Sequence, residues 1–128
     1  MVQQVTNGIK ISVASKFEGT SYRDEQLNFV FSYQVTIENQ SNNTVQLLER
    51  RWNIFDSLNQ TEIVEGPGVI GKKPILKSGE THTYKSHCLL TSPIGAMSGY
   101  YRMVNFSSSN MFKVYIPTFQ LMVPCIFN

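Results

Sequence analysis

Asn28-Phe29-Val30-Phe31-Ser32-Tyr33-Gln34-Val35-Thr36-Ile37-Glu38 is the stretch that decides the fold. Phe29, Phe31, Tyr33, Val35 and Ile37 fall at every second position, and Ser32, Gln34, Thr36 and Glu38 stand between them. That period of two belongs to a strand with one buried and one wet face. Downstream, Asn39-Gln40-Ser41-Asn42-Asn43 supplies turn chemistry, because short amide and hydroxyl side chains satisfy local backbone groups and Asn tolerates a positive φ. A hairpin is expected here. In its return strand Val45 and Leu47 share one parity, whereas Leu48, Arg50, Trp52 and Ile54 take the other, and a bulge near Leu47-Leu48 reconciles them.

Upstream, Ile9, Ile11 and Val13 alternate with Lys10, Ser12 and Ala14 as a further strand, and Phe17 to Asn28 reads as a polar connection. Beyond Asp56 the pattern predicts a strand from Thr61 to Glu65, a glycine-rich corner from Gly66 to Pro74 and a turn from Leu76 to Glu80. A strand from Thr81 to Leu90 follows. Tyr100 to Phe106 and Met111 to Ile116 form a last hairpin across Ser107-Ser108-Ser109-Asn110, with a short strand from Phe119 to Val123 past Pro117. The expectation is all-β: an antiparallel sandwich of about seven or eight strands, immunoglobulin or fibronectin type III-like, without the disulfide and packed tryptophan of antibody domains.

Composition agrees. The 128 residues contain 11 Val, 10 Ile and 9 Thr against 2 Ala, and 16% are charged. This is one strand-rich domain over residues 1–128, outside the disordered and coiled-coil classes. No apolar run reaches the roughly 18 to 20 residues of a membrane helix, and the N-terminal residues lack signal-peptide character. The expected location is cytoplasmic, with Cys88 and Cys125 as reduced, buried thiols. The net charge of +2 hides an asymmetry. Residues 1–65 hold five Lys/Arg and eight Asp/Glu, whereas residues 66–128 hold six Lys/Arg and Glu80 alone. Anion-attracting surface is therefore expected from the second half. No basic block suggests nucleic-acid binding.

Gly66, Gly68 and Gly71 spell Gly-x-Gly-x-x-Gly. A dinucleotide fold needs a helix after this word and an acidic residue about 20 positions later. Neither is present. A weaker reading places a phosphate-containing anion on the amides of the turn beside Lys72 and Lys73; the alternative is a plain corner between strands. His82, His87 and Cys88 do not make a metal site on one strand. His87 faces away from the other two, and His82 and Cys88 stand about 20 Å apart at about 3.3 Å per residue. No cofactor or metal is expected, and no nucleophile elbow or carboxylate cluster points to catalysis. Arg50, Trp52, Tyr100 and Arg102 remain as candidates for a protein interface, one of Tyr100 and Tyr101 being core.

Several long words also occur in order: Thr44-Val45-Gln46-Leu47-Leu48-Glu49-Arg50-Arg51-Trp52-Asn53-Ile54, Gly68-Val69-Ile70-Gly71-Lys72-Lys73-Pro74-Ile75-Leu76 and Ser78-Gly79-Glu80. Thr91 to Met103 and Phe112 to Leu121 complete the series. Together they resemble the ApaG family over nearly the whole chain. The resemblance implies a fibronectin type III-like sandwich and an association with cobalt resistance and magnesium efflux. It also implies protein interaction, since related domains occur in an F-box substrate receptor and a polymerase-delta-interacting protein. Residues Gly66, Gly68 and Gly71 match the family's glycine word, for which a nucleotide role is proposed; pyrophosphate and dinucleoside polyphosphates are the anions to test. Lys73 stands where Gln is common in the family. The expected partner is a protein, with a homodimer as a further option.

Overall fold

The computed structural model describes residues 1–124 and holds nine strands in two sheets. In chain order these are β1 (Val2–Thr6), β2 (Ile9–Arg23), β3 (Gln26–Asn39), β4 (Val45–Asp56) and β5 (Glu62–Pro67), then β6 (Ile75–Leu76), β7 (Thr81–Leu90), β8 (Ile94–Asn105) and β9 (Met111–Met122). One sheet runs β1-β2-β3-β7 and the other β5-β4-β8-β9, with β6 continuing the β5 edge of β4; all pairings are antiparallel. The sandwich expected from the sequence is present, with more strands than the seven or eight counted.

The strand count differs for identifiable reasons. Residues 17–28 form the ends of β2 and β3, not a connection, joined at Asp24 and Glu25 in left-handed backbone (φ 52° and 61°). Most side chains on both faces of this projecting tip are exposed, so the ladder holds it without apolar alternation. β1 is an edge strand whose middle residues Gln3 to Val5 are all exposed, which hides its period, and β6, read as the start of a turn at Leu76, is only two residues long, too short to show one. Pro117 does not split β9 in two. It lies where β8 and β9 slip register between Met97↔Phe119 and Gly99↔Ile116, a bulge that tolerates a residue without an N–H.

Ile11, Val13, Phe31, Val35 and Ile37 from one sheet meet Leu47, Met97, Met103, Val114 and Leu121 from the other. The bulge in β4 falls where the parity switch places it, at Leu48, between the pairs Leu47↔Met103 and Glu49↔Arg102. Two consecutive residues there share one outward position, so Arg50, Trp52 and Ile54 turn toward the opposite sheet. Trp52 is 3% exposed and packs edge-on to Tyr33, Tyr101 and Phe119, with ring centroids 5.3, 6.4 and 5.9 Å away. The expectation that Trp52 is a surface anchor is therefore corrected: it is a centrepiece of the core.

The two long sides of the sandwich differ. On one, β1 and β2 are stitched to β9 by Asn7 Nδ2 donating to Lys113 O (3.2 Å), Tyr115 N donating to Thr6 Oγ1 (3.3 Å) and Ser15 Oγ donating to Gln120 O (3.4 Å). On the other, the edges of β5 and β7 leave a gap, spanned by the loop between β5 and β6.

Candidate functional site

That gap is a cleft of about 440 Å³. Trp52, Ile54, Val64 and Met97 give it an apolar wall, while Arg50, Tyr33, Tyr84 and Ser86 give it a polar end. Arg50 Nη1 donates to the carbonyls of Pro67 (2.9 Å) and Gly68 (3.0 Å). Its guanidinium lies so close over Gly66 that a Cβ there would come within 3.0 Å of both Nη atoms. Tyr84 and Tyr101 share a short hydroxyl–hydroxyl bond beneath it. Burial raises the pKa of Tyr33, Tyr84 and Tyr101; Ser86, across the ladder from Tyr33, works the other way there, and the Arg50 charge does so on all three. The phenols stay neutral.

The glycine word lies at the rim. Val69 and Lys72 exchange backbone bonds (Val69 N to Lys72 O 2.8 Å, Lys72 N to Val69 O 3.0 Å) around a two-residue tip of Ile70 and Gly71, at φ 47° and 73°. Gly68 N donates to Leu48 O (2.8 Å), tying the loop to the bulge in β4. Gly68 is itself left-handed (φ 61°), and a Cβ there would stand 2.2 Å from Lys72 O. Only glycine fits. The amides of Gly68, Val69 and Lys72 are thus taken by the chain itself, while the side chains of Lys72 and Lys73 are exposed. Val69 is buried, so the loop plugs the side of the core as well as turning a corner.

Arg50 and Trp52 do not meet Tyr100 and Arg102, because the two pairs lie on opposite faces of one sheet. Tyr101 is fully buried and Tyr100 faces outward, as alternation requires. Around Tyr100 the outer face gathers Lys113, with Nζ 4.6 Å from the ring centroid, Arg51 at 6.0 Å, and Tyr115 edge-on at 6.2 Å. Arg51 pairs with Glu65 at 3.1 Å, and Arg102 approaches Glu49 at 3.8 Å.

The ApaG domain model matches residues 19–105. Curated ApaG proteins from Beijerinckia indica and Vibrio cholerae are 42% and 40% identical, over 97% and 94% of this chain and 95% and 94% of theirs. The chain belongs to the ApaG family. An ApaA crystal structure from Bordetella pertussis superposes with a TM-score of 0.83 at 34% identity, covering 97% of this chain and 98% of that one. A second solved structure, from a structural-genomics programme, reaches 0.88 at 31% identity over 94% and 91%.

In this ApaG domain, among the described residues, no three His, Cys, Asp or Glu side chains gather as metal ligands. His82 stacks on Tyr84, and burial followed by the nearby Lys72 charge lowers its pKa. Cys88 is a buried free thiol, raised to about 11 chiefly by burial; Cys125 lies outside the described residues. Asp56 belongs to no motif in the sequence, yet it organises one end of the sandwich. It accepts bonds from Thr91 N (2.7 Å), Thr91 Oγ1 (2.7 Å), Ser92 Oγ (2.6 Å) and Leu58 N (3.3 Å). Burial opposes its charge, but these donors prevail and its pKa is lowered. A turn signal at Asp56-Ser57 is legible; its partner 35 residues on is not.

Proposed function

We propose that this ApaG chain is a non-catalytic interaction domain of the cytoplasm that acts on Co²⁺ and Mg²⁺ handling through a protein partner. The observation that carries this reading is the outer-face cluster of Arg51, Tyr100, Arg102, Lys113 and Tyr115. Aromatic rings and arginines on a rigid sheet are the groups that dominate protein interfaces; with Arg51 and Arg102 already beside Glu65 and Glu49, Lys113 carries the charge that favours an acidic contact. Affinity capture from host cytosol tests it. Wild-type protein is expected to retain a specific partner that a Tyr100→Ala/Arg102→Glu variant loses, and only wild type should restore cobalt tolerance to a deletion strain. Equal recovery by both, or no recovery at several salt concentrations, removes the reading.

The exposed Lys72 and Lys73 side chains favour a second reading, binding of pyrophosphate or a dinucleoside polyphosphate at the glycine turn. With three turn amides already bonded, the lysines would carry most of the attraction. Calorimetry is expected to show heat with pyrophosphate that Lys72→Ala/Lys73→Ala abolishes; absence of heat in the wild type ends it.

A further inference from the structure

Arg50 is a cation set between two sheets without a carboxylate. Among the described residues the ion pairs are Lys16–Glu18, Arg51–Glu65 and Arg102–Glu49. The acidic neighbour Glu49 points to the outer face, because the bulge puts Leu48 and Glu49 on the same outer side and ordinary alternation then turns Arg50 inward. Arg50 has five N–H groups, and the bonds to Pro67 and Gly68 come from Nη1 alone. Nη2 and Nε keep donors for another acceptor. A half-buried guanidinium whose position is fixed by two neutral carbonyls, with no carboxylate paired to it, is placed to receive an anion.

The rest of the cleft limits what that anion is. Beside Arg50 stand the hydroxyls of Tyr33, Tyr84 and Ser86; further along come Trp52, Ile54, Val64 and Met97. A bare phosphate would satisfy the first group and leave the exposed parts of Ile54 and Val64 wet. At the mouth, Ile70 is 61% exposed and held at φ 47°, a conformation that a β-branched side chain adopts only under strain. An apolar side chain kept in that state at the mouth offers an apolar surface for a ligand's body. The volume of about 440 Å³ is that of a small-molecule site.

We propose that the cleft between β5 and β7 binds a small organic carboxylate, its carboxylate on Arg50 and its apolar body against Trp52, Val64 and Ile70. This site is separate from the outer face and from Lys72 and Lys73, and stands whether or not a protein or pyrophosphate binds there.

The chain's single tryptophan lines the cleft, so its fluorescence reports occupancy. The probe is octanoate, with octanamide and inorganic phosphate as comparators. Octanoate is expected to shift Trp52 emission saturably below about 10 mM and to bind at least about tenfold more tightly than either comparator. Arg50→Met should erase the preference over octanamide. Should that variant fail to fold, Val64→Phe fills the apolar wall without touching Arg50, and is expected to abolish the shift while the sheet signal in circular dichroism persists. Equal affinity for octanoate and octanamide, undiminished binding by folded Val64→Phe, or no saturable shift in the wild type would overturn the proposal.

Discussion

Trp52 and Tyr100 are aromatic residues of paired strands in the same sheet, and their surroundings assign them opposite roles. Trp52 is enclosed by Tyr33, Tyr101 and Phe119, so truncation opens a cavity as well as losing buried area. Trp52→Ala is expected to lower stability by ~3–5 kcal/mol in urea denaturation, and Tyr100→Ala by under about 1 kcal/mol. Loss of partner binding on mutating Trp52 would therefore say nothing about contact. Asp56 permits a second test, through pH. Its pKa is lowered in the fold from the ordinary 3.8. The stability it contributes is thus fully present above that value and is lost as pH falls through the lower folded one. Asp56→Asn is expected to flatten the acid limb of the stability–pH curve and to cost about 1–3 kcal/mol at neutral pH, since an amide nitrogen cannot accept the bonds now made to carboxylate oxygen. Urea titrations between about pH 2 and 7 check both, on the ordinary scale of carboxyl titration. Ile70 reverses the usual direction. Ile70→Asn suits a left-handed tip and is expected to raise stability by ~1 kcal/mol while weakening octanoate binding.

At the scale of elements, the bulge in β4 governs everything near the cleft. It is legible in the sequence: Val45 and Leu47 keep one parity and Trp52 and Ile54 the other, which only an inserted residue reconciles. Its consequence is equally legible, since the parity that carries Trp52 inward also carries Arg50, and reading both as surface anchors leaves the apolar pair exposed. The carbonyls of Pro67 and Gly68 that make an inward arginine tolerable come from a loop whose path no local period reveals. Residues 17–23 look like a connection for a related reason: a ladder with two wet faces has no apolar alternation to detect. Because Leu48 is the inserted residue, its deletion keeps Arg50 and Trp52 facing inward. Deleting Leu48 is expected to leave the sandwich folded but to free the Gly68 amide from its anchor on the Leu48 carbonyl, with hydrogen exchange at Gly68 and Val69 accelerated at least about tenfold. Deletion of Arg51 instead absorbs the bulge with Trp52 still opposite Gly99 but turns Glu49 inward and Arg50 outward, and is expected to cost far more stability because a carboxylate is buried without a partner. Circular dichroism and exchange rates distinguish the two; equal damage by both would show that the bulge does not set the facing.

Across the whole molecule, the net charge of +2 matters less than the inequality of the two sides of the sandwich. Where β1 and β2 meet β9, polar bonds between the sheets close the seam. Where β5 faces β7, one loop spans a cleft, and β7 pairs with β3 alone. Separation of the sheets should therefore begin on the β7 side, ahead of global unfolding. Cys88, on the inner face of β7, reports it. Cys88 is 7% exposed and its thiol pKa is raised to about 11, mainly by burial, so little thiolate forms in the closed state at about pH 8. In a Cys125→Ser background, alkylation of Cys88 under native conditions is expected to need an opening. If β7 detaches by itself, the logarithm of the labelling rate will rise with urea at a slope clearly below the equilibrium m-value, since only part of the buried surface is exposed. A slope equal to the global m-value would mean that the open side is as cooperative as the closed one. A ligand seated on Arg50 and Trp52 bridges the gap, so saturating octanoate should slow native labelling of Cys88 in proportion to its occupancy.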